Sequence, residues 1–470
     1  MASGGLEAAL GPFQEGRYGE SEPLLRALLA ESPDDADATH FLGIALREMG
    51  RGGEGLDLMR RSVALAPMRA DFHYNLANAH DADSREDEAL AAYREALRLR
   101  PEYPQALMNL AMLLVATGQM DEARESLERL VKIAPRSPTA HLNLARLYQN
   151  SGQHKEALGL IQTAAALKPT TAILCELAVA LRRDGQTVPA VLAVEEAQAA
   201  AGAEDAAAWM ELGQAFTALE NPERAAAAYA RVLAIDPDHI EARFLVAALE
   251  AGDAGKETID TPPAAPASYV AATYDAYAPS FERHLVETLK YRAPSLVYEA
   301  VMRQRDQKAA TGRLDILDLG CGTGLAAPLF APLAATLTGV DLARNMLALA
   351  RRRNLYTRLE QTDIAAFMRA HPAAYDLILA VDVLIHVGDL TESFAAAFDA
   401  LRPGGLFAFS VEAHAPEGFV LQHSRRFAHA LPYLEERAAA AGFTKHTIEN
   451  HALREECGVP VVGYIAVVTK

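Results

Sequence analysis

The stretch Leu314-Asp315-Ile316-Leu317-Asp318-Leu319-Gly320-Cys321-Gly322-Thr323-Gly324 decides how the second half of this chain folds. An apolar run with a carboxylate near its end, breaking into glycines at alternate positions, reads as a buried parallel strand turning sharply into a helix. Glycine suits such a turn because a Cβ would block both the bend and the close approach of bare backbone to a ligand. A helix opening near Leu325 would then offer unpaired N–H groups and a positive dipole end to a polar ligand.

Further on, Leu337-Thr338-Gly339-Val340-Asp341 reads as a second short strand ending in a carboxylate, which can grip the paired hydroxyls of a sugar. The dinucleotide fingerprint places its third glycine after two intervening residues. Here the order is Gly-x-Gly-x-Gly, and Leu325 stands where that glycine would fall. An NAD-dependent oxidoreductase is therefore the weaker reading. Asp318-x-Gly320-x-Gly322-x-Gly324 followed by Asp341 resembles the class I S-adenosylmethionine-dependent methyltransferases, and the resemblance extends over residues 269–470.

Around these motifs strand and helix patterns alternate. Strands are expected at 314–319, 336–340, 355–360, 375–381 and 406–412, with helices at 325–334, 343–353, 363–370 and 390–402. Arg402-Pro403-Gly404-Gly405 reads as a sharp turn, 427–441 as a helix, and 443–449 with 461–469 as a closing hairpin. Alternation of this kind predicts a doubly wound parallel sheet. The resemblance implies a Rossmann-like α/β domain with a seven-stranded, mostly parallel sheet.

The first half is a repeat. Prolines stand at 33, 67, 101, 135 and 169, each 34 residues after the last, and Pro237 falls two periods on. Leu42-Gly43, Leu76-Ala77, Leu110-Ala111, Leu144-Ala145, Leu177-Ala178 and Leu212-Gly213 recur, each followed by a turn at Gly50, Ser84, Gly118, Gly152, Gly185 or Asn221. A small residue then returns (Ala89, Ala123, Ala157, Ala225) with a bulky one four later (Tyr93, Leu127, Ile161, Tyr229), which places both on one helical face. Each period is thus two helices, and the array resembles about seven tetratricopeptide repeats, an α-solenoid. The sixth copy departs: its Leu-Ala pair comes one residue early and Ala203 replaces the proline, so a distorted junction is expected there. Residues 238–252 read as a capping helix, since an end repeat has no neighbour to cover its apolar face. The expected organisation is a solenoid at 1–252, a proline-bearing semi-rigid linker at 253–268, and a methyltransferase domain at 269–470.

The whole sequence bounds these readings. At 470 residues it exceeds one ordinary core. A net charge of -18 repels phosphate backbones, and only Arg351-Arg352-Arg353 offsets it locally, so nucleic-acid substrates are disfavoured. Cys175, Cys321 and Cys457 lie too far apart for a metal set or a disulfide framework, and His446 and His451 are five apart, which splits them between faces. No metal is expected. There is no basic-then-apolar leader and no membrane-length apolar run, so a reduced cytoplasm is the expected compartment.

For the site, strand ends on the carboxyl side are the candidates. The resemblance implies that Asp318, Gly320, Cys321, Gly322 and Gly324 meet the methionine part of S-adenosyl-L-methionine, and that Asp341 takes the ribose hydroxyls. Leu342 and Met346 would lie against the adenine. Asp363 would accept from the adenine amino group beside Ile364, or else cap the following helix. Asp382 and His386 leave the fourth strand where methyl transfer would occur, and His386 is the candidate general base. Asp376, at the start of that strand, reads as structural. His414, His423 and His429 are weaker base candidates, and Arg425 with Arg426 could bind an acidic acceptor or simply sit in solvent. Tyr274-Asp275-Ala276-Tyr277-Ala278 and Phe281-Glu282-Arg283-His284-Leu285 resemble the lid helices of small-molecule methyltransferases, with Tyr274 and Tyr277 able to reach cofactor or substrate.

Nearly the whole chain is similar to bacterial methyltransferases that carry tetratricopeptide repeats. That implies O- or N-methylation of a small molecule or protein-bound acceptor, with the repeat groove holding a protein or peptide partner. The alternative is an adaptor whose methyltransferase domain only binds cofactor.

Overall fold

Packing of small residues against bulky ones builds the repeats. Ala89, Ala123, Ala157 and Ala225 are each 0% exposed, and Tyr93, Leu127, Ile161 and Tyr229 are buried beside them. In the computed structural model, which describes residues 2–251, 262–307, 312–414, 417–456 and 458–470, the repeats form seven helix pairs. They run from Ala2–Gln14 with Tyr18–Glu31 to Ala206–Ala218 with Pro222–Ile235, and Ile240–Glu250 follows. Gly50, Gly118, Gly152 and Gly185 take φ values of 71–81° at the turn inside a pair, where a Cβ would be strained. In the seventh pair Glu220 occupies that left-handed position, and Asn221, expected there, instead caps the next helix by accepting from the Arg224 N–H.

Connectors between successive pairs are four residues long at 66–69, 100–103, 134–137 and 236–239, but three at 168–170 and five at 201–205. The two irregular connectors compensate, which is how the early Leu177-Ala178 pair is absorbed. Two compact units divide the chain, Met1–Leu147 and Tyr148–Lys470. The second contains the later repeats together with the sheet. Of the expected linker, residues 253–261 lie outside the described residues, while Pro263 and Ala265 bond to the backbone of the loop after the fourth strand.

The sheet has strands β1 (Leu314–Leu319), β2 (Ala334–Asp341), β3 (Arg358–Gln361), β4 (Tyr375–Ala380), β5 (Leu401–His414), β6 (Phe419–Leu421), β7 (Phe427–Ala430), β8 (Lys445–Glu456) and β9 (Val459–Thr469). The order is β3-β2-β1-β4-β5-β7-β6, with β9 paired antiparallel to β5 and β8 to β9. The pairs β1·β2, β2·β3, β1·β4, β4·β5 and β5·β7 are parallel. Alternate residues supply the two faces. Leu317, Leu319, Ile378, Phe407 and Phe409 join one core cluster, and Ile316, Leu377, Leu379, Leu406 and Ala408 join the other. Burial on both faces explains why these strands read as continuous apolar runs.

Three expectations are corrected. The helix expected at 325–334 is only Ala327–Phe330 and a 3-10 turn, Ala331–Leu333, because Pro328 and Pro332 withhold the N–H groups a longer helix needs. The expected helix at 427–441 starts at Leu431, with Pro432 in its first turn. The four buried residues before it form β7 along the far end of β5, making nine strands among the described residues rather than seven. Arg402-Pro403-Gly404-Gly405 is an irregularity inside β5, where the register against β4 shifts, rather than a separate turn.

Candidate active site

Leaving β1, the chain turns at Gly320 with φ +58°, and a Cβ there would lie 2.4 Å from the Val383 side chain. The segment leaving β4 therefore crosses directly over the glycine turn. Gly322, at φ +54°, has nothing nearer than Phe281 at 3.8 Å. Its bare Cα faces a cavity of about 200 Å³. That cavity is lined by Asp318, Gly320, Cys321, Gly322, Thr323, Asp341, Leu342, Asp363, Ile364, Asp382 and His386 among others, so most of the predicted site residues share one space.

Two predicted residues do not line it. Gly324 faces Tyr356 and Arg353. Met346 is fully buried in a cluster with Ala278, Ala343 and Tyr274 beneath the lid helix. With so short a helix after the glycines, the dipole expected there contributes little.

Asp341 is fixed by backbone: the Gly322 N–H donates to Oδ2 and the Ala343 N–H to Oδ1, each at 2.8 Å. Burial raises its pKa against those two bonds. Asp318 is 2% exposed, and burial pushes its carboxyl up to about 7 although the Tyr356 hydroxyl donates to it at 2.6 Å. Burial also holds the Cys321 thiol well above its ordinary range. Asp363 takes the capping role, accepting from the Ala366 N–H at 2.9 Å while its residue still borders the cavity. Asp376 accepts from the Asp315 N–H and from Arg402, a structural role.

The lid helix, Ala267–Tyr277, has no fully buried residue and is held by specific bonds. Asp275 accepts from the Asn345 N–H at 2.8 Å, Tyr277 pairs with His284, and the Tyr274 hydroxyl meets His386 Nε2 at 2.8 Å. Burial and the cationic neighbours Arg426 and Arg454 lower the His386 pKa to about 3, so the ring is neutral and weakly basic. Its Nδ1 is buried without a hydrogen-bond partner among the described residues, as is the Thr323 hydroxyl. Both residues line the cavity, and orphaned polar atoms there fit a polar ligand. Among the weaker candidates His429 is fully buried, with Nε2 on the Val387 and Gly388 carbonyls, a structural position.

Arg426 lines the cavity and Arg425 does not. Arg426 is bound to Glu456 through Nη1 at 2.5 Å. Sequence reasoning missed Tyr356 and Arg454. Tyr356 precedes β3 by two residues and its sequence position carries no signal; Arg454 lies in the closing hairpin, where nothing local marks a buried arginine.

The fold and this site define the class: residues 316–405 match the methyltransferase domain family, and tetratricopeptide repeat families match 6–70, 42–104, 82–138, 121–174 and 206–249. The chain carries a methyltransferase domain behind an array of tetratricopeptide repeats. It is similar to the ubiquinone biosynthesis O-methyltransferases of Saccharophagus degradans (29% identity; 24% of this chain, 50% of that one) and Thiobacillus denitrificans (33%; 23% and 49%). That of Leptothrix cholodnii is 34% identical over 23% of this chain and 50% of its own. The chain thus spans about half the length of the curated relatives it matches. A tetratricopeptide repeat protein structure from Parabacteroides merdae aligns with 52% of this chain and 97% of its own at 19% identity, with a TM-score of 0.40. No helix among the described residues is long and apolar enough to cross a membrane.

Proposed function

We propose that this protein is an S-adenosyl-L-methionine-dependent methyltransferase acting on an O–H or N–H group of a small molecule or protein-bound acceptor, with the repeats holding a protein partner. The observation that carries the reading is the Asp341 carboxylate, locked by the Gly322 and Ala343 N–H groups at the rim of a glycine turn whose open face borders the cavity. When bound, the cofactor supplies a methyl group already activated on a sulfonium. The chain's own residues then mainly align and exclude water.

Asp341 would accept from the ribose hydroxyls. Asp318 would pair with the ammonium, a role for which its buried carboxyl must ionise. Leu342 and Ile364 would bracket the adenine, with Asp363 offering its second oxygen. Tyr274 keeps its proton because burial raises its pKa. Donating to His386 Nε2, it leaves Nδ1–H free to orient an acceptor oxygen. With so low a pKa His386 is better suited to orienting the acceptor than to removing its proton. The names of the relatives favour oxygen as the acceptor atom.

Titrating the whole chain calorimetrically with S-adenosylmethionine and S-adenosylhomocysteine, beside Asp341→Ala, tests this. Micromolar binding lost in the variant supports the reading and justifies a labelled-methyl search for the acceptor. Absence of binding by the intact chain refutes it, and binding without transfer to any acceptor favours the adaptor reading.

A further inference from the structure

Two backbone irregularities converge on one ion pair at the edge of the cavity. The first is in β8. Its register against β9 shifts between Ala452 and Arg454, so the consecutive residues Leu453 and Arg454 are both buried, at 0% and 2% exposure. A regular strand would send one of them to each face; an irregularity of this kind re-aims a side chain, and such features concentrate beside active sites. Here Leu453 enters the hydrophobic core while Arg454 reaches the cavity.

The second irregularity is Asp382, a non-glycine residue at φ +60° just beyond β4. A residue in that region is strained unless its surroundings fix it. The surroundings do: the Asp382 N–H donates to Ser410 Oγ at 2.8 Å, and its carboxylate faces Arg454 Nη1 at 3.4 Å.

Arg454 is shared. It also binds Glu412 and, through Nε at 2.8 Å, Glu456, which in turn holds Arg426. Among the described residues three carboxylates surround these two guanidiniums, so no surplus positive charge remains in the cluster to capture an anionic acceptor. A buried arginine with its donors committed this way serves geometry: its planar fork fixes what it binds. Of its carboxylate partners, Asp382 is the one that also lines the cavity. The adjoining Val383 presses on Gly320, which brings Asp382 to the glycine turn itself.

Resting on the cofactor reading above, we infer that Arg454 is a positioning residue which holds the Asp382 carboxylate toward the sulfonium end of the bound cofactor. Asp382 thereby makes the site favour the charged methyl donor over its neutral demethylated product. After transfer the sulfur carries no charge, the attraction to Asp382 ends, and product leaves more readily.

The test needs no acceptor. Dissociation constants for S-adenosylmethionine and S-adenosylhomocysteine are measured by calorimetry on the full chain, on Asp382→Asn, on Arg454→Met and on the double variant. Asp382→Asn should weaken S-adenosylmethionine about tenfold while leaving S-adenosylhomocysteine within about twofold. Arg454→Met should reproduce that selective loss, and in the Asp382→Asn background it should leave the ratio of the two constants unchanged. A merely structural arginine would weaken both ligands equally, or act as strongly without Asp382, and either result overturns the proposal. Because Arg454→Met strands buried carboxylates and can unfold the chain, Arg454→Met with Glu412→Gln, and Ser410→Ala alone, provide further routes to the same ratio. An unchanged ratio in both of these folded variants would also overturn it. Failure of the wild-type chain to bind either ligand would refute the cofactor reading instead, and is thus distinguishable.

Discussion

Replacing Asp318 with asparagine should stabilise the protein and disable it together. The carboxyl rises from its ordinary 3.8 to about 7, chiefly because burial penalises the charge. At about 1.4 kcal/mol per pH unit, that rise corresponds to a linked free energy of about 4 kcal/mol. The sign follows from proton binding. Between about pH 4 and 7 the folded chain holds a proton that the unfolded chain has released, so this group's contribution is fully present below about 4 and is lost as pH rises through about 7. An asparagine in place of Asp318 would be neutral throughout and could still accept from the Tyr356 hydroxyl. The stability difference between Asp318→Asn and wild type should therefore be near zero at pH 4 and grow toward about 4 kcal/mol by pH 8. Denaturant unfolding followed by circular dichroism, at pH 4.5, 6, 7 and 8, reads this directly. A difference that does not change with pH would refute the assignment of a raised carboxyl. The same variant should lose S-adenosylmethionine binding. In wild type, binding at pH 7 should release about half a proton, visible as a dependence of calorimetric heat on buffer ionisation enthalpy.

Tyr356→Phe removes the donor that lowers the Asp318 pKa, so the pH midpoint for cofactor binding should move upward; a midpoint that stays or falls counts against the bond. Asp341→Ala should cost on the order of 100-fold in cofactor affinity and also lower thermal stability, because it removes the charged acceptor and leaves the Gly322 and Ala343 N–H groups without their partner. Gly320→Ala meets both a positive φ and the Val383 side chain at 2.4 Å, so it should cost about 2 kcal/mol or more and abolish binding, as read by unfolding and calorimetry. In the repeats, a Cβ on Gly213 would lie 2.3 Å from the Tyr229 ring, and Gly213→Ala should destabilise by about 1–3 kcal/mol while leaving cofactor affinity unchanged.

The sequence alone determined whatever is encoded locally or by period. The 34-residue recurrence of proline and small–bulky pairs specifies helix pairs, because a face repeated at helical spacing can only be buried by the next copy. The run at 314–324 specifies a buried strand and a turn that only glycine tolerates, and Asp341 at the next strand's end follows from the parallel order. Tertiary structure decided what depends on partners distant in the chain. Residues 427–430 became a strand because β5 offers a free edge there, which no local propensity announces. The basicity of His386 was set by burial and by Arg426 and Arg454, 40 and 68 residues on in sequence. Arg454 itself reaches the cavity only because β8 slips register, and a charge can be buried only where its counter-charges have already been folded into place.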